Sequence, residues 1–96
     1  MDTLSLLREK RQEILRIAAK HGAYDVRVFG SVARNEDQPD SDIDLLVKPG
    51  ERVSSWFPAG LIRELEQALG RQVDVVTDNG LNPYLRDTVM KEAVAL

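Results

Sequence analysis

Residues 30–47 read GSVARNEDQPDSDIDLLV, and this stretch decides the architecture of the chain. It begins where a short strand-like run, Val26–Phe29, meets glycine, and it ends in a second such run, Ile43–Val47. Ser31 is a reasonable cap for a helical turn over Val32–Arg34. The acidic residues that follow, interrupted by Pro39, indicate a loop. The stretch therefore predicts a strand, a helical turn, a loop and a second strand.

The segments on either side add helices and one more strand. The apolar spacing predicts a first helix over 4–20 and a last one over Pro83–Val94. It predicts a middle helix that starts at Ser54 or Ser55, has Pro58 in its first turn and ends at about Leu69. A third strand is predicted at Gln72–Thr77. This order predicts an α/β (α+β) fold, in which helices pack on a short mixed sheet of three to four strands. We expect a single domain over residues 1–96.

Composition narrows the possible functions. The 96 residues contain 43% hydrophobic and 30% charged residues, which is an ordinary globular balance. The lack of cysteine excludes disulfides, thiolate zinc sites and a cysteine nucleophile. There is no apolar run of about 20 residues to cross a membrane. The N-terminus does not look like a signal peptide, so we expect a cytoplasmic protein.

The net charge of −3 is unevenly distributed. Residues 35–44 contain five acidic residues and no lysine or arginine. The rest of the chain shows no basic stripe of the kind that meets a phosphate backbone. Direct nucleic-acid binding is therefore not expected, whereas a small anion that arrives with a cation is compatible with this charge pattern.

Asp42 and Asp44 are the first candidate site residues. Side chains alternate along a strand, so both carboxylates point to the same face and repel each other. Oxygen-only ligands suit Mg²⁺, which typically uses one or two carboxylates together with phosphates and water. The alternative is a pair of solvated aspartates at the frayed start of a strand.

Gly30, Ser31 and Arg34 form a candidate phosphate-binding turn. A strand–glycine–helix junction exposes backbone N–H groups, and glycine permits close approach. The Ser31 hydroxyl and the Arg34 guanidinium can bind the same anion. The alternative is an ordinary turn with a solvated arginine.

Asp74 is a lone charge inside the apolar run Val73–Val76. Burying an unpaired carboxylate is costly, so Asp74 either faces solvent or has a partner. If the third strand lies beside the second, Asp74 can join Asp42 and Asp44 around a metal ion.

These features together resemble the minimal nucleotidyltransferase group of the DNA polymerase β-like superfamily. Its signature is Gly-Ser-x-Ala-Arg-Gly, a short loop and Ser-Asp-x-Asp-Leu, and it matches residues 30–34 and 41–45. Residues 70–76 resemble the strand with the third carboxylate, and residues 82–94 resemble the C-terminal helix. Asn35 departs from the pattern by replacing glycine, and asparagine adopts left-handed backbone conformations more readily than most residues.

The resemblance implies nucleotidyl transfer with ATP as substrate and one or two Mg²⁺ ions. Asp42, Asp44 and Asp74 are then the catalytic and metal-binding residues, and Gly30, Ser31 and Arg34 bind the nucleotide. Small members are typically antitoxins that transfer AMP to a tyrosine of a HEPN-type ribonuclease toxin. A chain of this length leaves no room for a separate acceptor-binding domain, so a hetero-oligomer with that toxin is the expected partnership.

Two alternatives stay open. The chain is an antitoxin that masks its toxin by contact, with a vestigial site, or it modifies a small molecule such as an aminoglycoside. In the second case the acidic loop 35–41 would hold the cationic acceptor, although a solvated turn is the simpler interpretation.

Overall fold

The computed structural model describes residues 2–53 and 57–96, and its elements follow the predicted order. The predicted helix caps Ser54 and Ser55 lie outside the described residues. The elements are α1 (Thr3–Glu9), α2 (Arg11–Lys20), β1 (Ala23–Phe29), α3 (Gly30–Ala33), β2 (Ile43–Pro49), α4 (Ala59–Leu69), β3 (Val73–Thr77), a 3-10 turn (Asp78–Gly80), α5 (Pro83–Glu92) and β4 (Val94–Ala95).

The described strands form one mixed sheet in the order β3-β2-β1-β4. β1 pairs antiparallel with both β2 and β4, whereas β2 and β3 run parallel. A parallel pair needs a crossover connection, and α4 lies in the one between β2 and β3. The predicted α+β fold with a short mixed sheet is therefore confirmed.

Alternation along the strands separates an apolar face from a polar face. Ile43, Leu45 and Val47 of β2 are all buried, as are Val73 and Val75 of β3. Helices α1, α2 and α4 contribute further members of the same core, namely Leu7, Ile14, Ile17, Ala18, Leu61, Leu65 and Leu69. Residues at the intervening strand positions, Asp44 and Asp74 among them, point to the opposite face.

Two helix predictions needed correction. The predicted helix over 4–20 is divided at Lys10, which ends α1 and begins α2. The Lys10 ammonium donates to the carbonyl oxygen of Ala68 at 3.0 Å, so the break lies at a contact with α4. Pro58 precedes α4 as its N-cap instead of lying in the first turn.

The ends of two other elements also differ from prediction. Ser31 is not a helix cap, because α3 already begins at Gly30 and Phe29 is the N-cap. The last helix stops at Glu92, and after its C-cap Ala93 the chain forms β4, which pairs with β1 through Arg27–Ala95 and Val28–Val94. This pairing satisfies backbone groups along an otherwise open edge of β1.

None of the helices within the described ranges combines the length and the apolar composition that a bilayer crossing requires.

Candidate active site

The parallel register of the sheet brings two of the predicted acids together. Asp44 of β2 is the direct partner of Asp74 of β3, and their neighbours Ile43 and Val73 are also partners and buried. Asp44 and Asp74 therefore share the face opposite the core. Asp42 lies two residues before Asp44, and it is close enough for its charge to act on the Asp44 carboxyl group.

The electrostatics of Asp44 reflect this crowding. Burial raises the pKa of the half-buried Asp44 carboxyl, and the negative charges of Asp74 and then Asp42 raise it further. The Arg34 guanidinium acts in the opposite sense and lowers the pKa, while Glu92 adds another increase. An acid that is crowded by other acids ionises at a cost, and a cation beside it would relieve that cost.

The donor chemistry fits Mg²⁺, although the protein does not form a complete cage. Within residues 2–53 and 57–96, no three acidic or histidine side chains stand ready to enclose a metal ion. Mg²⁺ in proteins usually needs only one or two carboxylates, because water and substrate phosphates supply the other ligands. Asp44 with Asp42 or Asp74 meets that requirement.

The Gly30 turn lies directly against Asp44. Gly30 has φ +73°, in the left-handed region that favours glycine. A Cβ atom at this position would overlap the Oδ2 atom of Asp44. The backbone at Gly30 therefore lies too close to the Asp44 carboxylate for any side chain to fit between them. The next residue of the turn, Ser31, is half-buried.

The turn closes as the sequence predicts. Asn35 has φ +58°, so asparagine adopts the left-handed conformation where the family pattern has glycine. Its backbone N–H donates to the carbonyl oxygen of Val32 at 3.1 Å. The substitution is accommodated without loss of the turn.

Glu92 is a neighbour of this turn that the sequence analysis missed. Its Oε1 accepts from the Gly30 backbone N–H at 2.9 Å, and its Oε2 accepts from Arg34 Nη1 at 2.9 Å. Arg34 Nε also donates to Glu36 at 3.1 Å. A signal was available, because an acid in the last turn of a helix faces the negative end of the helix dipole and needs compensation.

Arg71 is a second residue that sequence reasoning missed. Its guanidinium donates to the carbonyl oxygen of Ser41 at 2.6 Å and to that of Gln38 at 3.2 Å. It also donates to the Thr3 hydroxyl at 2.7 Å and pairs with Asp37 at 3.2 Å. Arg71 thus fixes the acidic loop immediately before Asp42.

The acidic loop is therefore not a simple solvated turn. The Asp37 side chain is only 9% exposed. A hydrogen bond from the Thr3 hydroxyl lowers the pKa of Asp37, and Arg71 lowers it further. A carboxylate already paired in this way is poorly placed to hold a cationic small molecule, which weakens the aminoglycoside alternative.

The raised pKa of Asp44 leads to a prediction about stability. A carboxyl group whose pKa is higher in the folded state stabilises the fold at low pH, and this contribution is lost as pH rises through the folded pKa. Asp44→Asn mimics the protonated form, so we expect its melting temperature at pH 7.5 to exceed that of the unchanged protein. Solvent screening limits the gain to about 1 kcal/mol, which corresponds to a few degrees.

Melting curves followed by circular dichroism at pH 7.5 and pH 4 would measure this difference, which should shrink at the lower pH. Asp87→Asn, at an exposed position of α5, is the matched control and should change the melting temperature little. An Asp44→Asn protein that melts below the unchanged protein at pH 7.5 would contradict the prediction.

The chain is similar in sequence and in fold to known nucleotidyltransferases. Residues 7–96 match the family described as the nucleotidyltransferase domain. A candidate protein adenylyltransferase of Methanocaldococcus jannaschii is 44% identical over 88 residues, which cover 92% of this chain and 95% of the relative.

Solved structures show the same fold. A candidate minimal nucleotidyltransferase is 49% identical with a TM-score of 0.85, and the match covers 100% of this chain and 97% of that one. A toxin–antitoxin structure with AMP-PNP is 21% identical with a TM-score of 0.73, covering 88% of this chain and 69% of that chain. At that identity the second likeness concerns the fold alone.

Proposed function

Since the chain belongs to the nucleotidyltransferase domain family, we propose that it transfers AMP from ATP to a hydroxyl group of a HEPN-type ribonuclease toxin and so neutralises it. The acceptor hydroxyl in this proposal is that of a tyrosine. The observation that carries the proposal is the Asp44–Asp74 register pair beside the Gly30 turn. This pair supports the proposal because two carboxylates beside a turn whose backbone a substrate can approach closely suit a metal–triphosphate substrate.

A protein acceptor is supported by the relatives. The Methanocaldococcus jannaschii protein, which this chain matches over 95% of its length, is a candidate protein adenylyltransferase. The fold is also shared with a toxin–antitoxin structure with AMP-PNP, and from this likeness of fold we take the toxin partner and the adenine nucleotide as parts of the proposal. The cytoplasmic location stays a prediction.

The proposed reaction is an in-line displacement at phosphorus. The acceptor oxygen attacks the α-phosphorus, the bond between the α-phosphorus and the bridging oxygen breaks, and pyrophosphate leaves with the electron pair. Bound Mg²⁺ would neutralise the charge of the triphosphate and of the leaving group. Asp42 and Asp44 would hold the metal–triphosphate, and Asp74 would complete the metal site and accept the proton of the acceptor hydroxyl.

The Gly30 turn acts on the other end of the substrate. Gly30 lets the phosphates approach the backbone closely, and the Ser31 hydroxyl and the Arg34 guanidinium bind the β- and γ-phosphates and stabilise the departing pyrophosphate. Positioning and charge neutralisation supply most of the rate in transfers of this type.

Incubating the chain with its cognate HEPN-type toxin, ATP and Mg²⁺ tests the proposal. We expect intact-mass spectrometry to show a gain of one AMP on the toxin, and peptide mapping to place it on tyrosine. The gain should disappear with EDTA and in the double variant Asp42→Ala, Asp44→Ala. A folded chain that leaves the toxin mass unchanged would contradict the proposal.

Neutralisation by contact alone is the second candidate. It is favoured by the bonds of Glu92 to Gly30 and Arg34, because these donors are already engaged within the protein. Toxin activity assays with the same double variant separate the two candidates. Full neutralisation by the double variant would make catalysis dispensable, whereas its loss would support AMP transfer.

A further inference from the structure

The Glu92 carboxylate lies against the groups that the proposed function assigns to the triphosphate. One carboxylate oxygen accepts from the Gly30 backbone N–H and the other from Arg34, each at 2.9 Å. The Glu92 side chain is 20% exposed and the Arg34 side chain 46% exposed. The contact is therefore partly shielded on the Glu92 side and open on the Arg34 side.

The position of Glu92 along the chain holds its carboxylate in place. It is the last residue of α5, where the Ala93 backbone N–H still bonds to the Val89 carbonyl oxygen at 2.9 Å. After Ala93 the chain enters β4, which pairs with β1. Since a helix precedes Glu92 and a paired strand follows it, its backbone has little freedom to move away from the Gly30 turn.

The two hydrogen bonds stabilise both Glu92 and the start of α3. Glu92 lies at the negative end of the α5 dipole and needs positive compensation, which Arg34 provides. The Gly30 N–H is at the start of α3, where a helix has no internal acceptor for its first N–H groups. Charge-assisted hydrogen bonds of this kind are stronger than neutral ones, so the contact orders both groups.

The hydrogen bonds to Glu92 and Glu36 orient Arg34 and use only some of its N–H donors. A guanidinium has five N–H donors, and the bonds to Glu92 and Glu36 use one each, at Nη1 and Nε. The remaining donors are available for a phosphate group. A side chain that is already oriented loses less conformational entropy when it binds.

We infer that Glu92 is a positioning residue of the nucleotide site, which holds the Gly30 turn and Arg34 in the arrangement that receives the β- and γ-phosphates. The inference rests on the proposed function, because it presumes that these groups bind a triphosphate. It goes beyond that function by linking the α5–β4 junction to nucleotide affinity. Glu92 acts through Arg34 and the Gly30 N–H and does not itself touch the substrate.

Titration calorimetry with Mg–ATP tests the inference in four proteins: unchanged, Glu92→Gln, Arg34→Ala and the double variant. Glu92→Gln preserves the shape of the side chain and removes the charge that orients Arg34. We expect its Kd for Mg–ATP to rise at least about tenfold, the loss typical of a hydrogen bond to a charged group. In the Arg34→Ala background the same change should have little further effect, because coupled residues are not additive.

The control is Asp87→Asn, which removes an exposed acid from the same helix and should leave the Kd unchanged. Melting temperatures measured on the same preparations show whether each variant is folded. If Glu92→Gln is unfolded, Glu92→Asp replaces it. This variant keeps the net charge but withdraws the carboxylate by one methylene, and it should also weaken binding.

The outcomes distinguish the inference from the function on which it rests. Equal or tighter binding of Mg–ATP by folded Glu92→Gln would overturn the inference alone, and tighter binding would identify Glu92 as a competitor of phosphate. An additive loss in the double variant would likewise overturn a role through Arg34. Failure of the unchanged protein to bind Mg–ATP would overturn the proposed function and the inference with it.

Discussion

Asp44→Asn is expected to lower the rate of AMP transfer by roughly 10²–10³-fold, because a metal ion at such a site is worth several kcal/mol and each 1.4 kcal/mol is about tenfold. Asp44 is central to the proposed site. It is the register partner of Asp74 in the sheet, it lies against the Gly30 turn, and the negative charge of Asp42 raises its pKa. The substitution keeps the size of the side chain and removes its charge.

Single-turnover transfer of radiolabelled AMP to the toxin at saturating Mg²⁺ measures the rate. Asp87→Asn serves as the control and should retain the full rate. The expected gain in thermal stability of Asp44→Asn makes the result easy to interpret, since a slow and more stable protein has not lost activity through unfolding. A variant that retains more than about a tenth of the rate would exclude Asp44 as a principal metal ligand.

Arg71→Ala is expected to give the largest loss of stability, about 2–3 kcal/mol in the free energy of unfolding. The change leaves the 9%-exposed Asp37 without its ion-pair partner, and it removes the donors to the carbonyl oxygens of Gln38 and Ser41. Hydrogen bonds to charged groups contribute roughly 1.5–3 kcal/mol, and unsatisfied buried groups add to the cost. Urea unfolding at pH 7 measures the difference.

The pH dependence of this loss has a definite sign. The pKa of Asp37 is lowered in the folded state, first by the Thr3 hydroxyl and then by Arg71. Such a group stabilises the fold above its unfolded pKa, and the contribution is lost as pH falls through the folded pKa. The difference in the free energy of unfolding between Arg71→Ala and the unchanged protein should therefore become smaller as pH falls below 3.8, the ordinary pKa of an aspartate.

Arg63→Ala removes an exposed arginine from α4 and is the matched control, with an expected change of less than about 0.5 kcal/mol. A loss for Arg71→Ala no larger than that of the control would show that the acidic loop does not depend on Arg71.

Local patterns in the sequence predicted β1, β2 and β3 and the positions of Asp44 and Asp74 on the last two of these strands. A charged residue at Asp74 inside an apolar strand indicated the third acid, because burial without a partner is costly. Alternation along a strand predicted that Asp42 and Asp44 share one face, but β2 begins at Ile43, so Asp42 lies just before the strand. The left-handed conformation of Asn35 followed from the known preference of asparagine.

The features that escaped prediction depend on contacts between distant parts of the chain. Glu92 and Gly30 are separated by 62 positions, and Arg71 and Thr3 by 68. Neither pair leaves a periodic signal that one sequence can reveal. The break at Lys10 lies at a contact with Ala68 of α4, 58 positions away. β4 is only two residues long, too short for an alternating pattern.

The parallel alignment of β2 with β3 also limits how this chain tolerates changes in length. A one-residue insertion or deletion between Gly70 and Asp74 that slid β3 along β2 would bring Val73 or Val75 opposite Asp44 and turn the Asp74 carboxylate into the apolar layer. The same event would cost both a ligand and part of the core. Variation in length among related chains should therefore concentrate in surface loops and avoid these few residues.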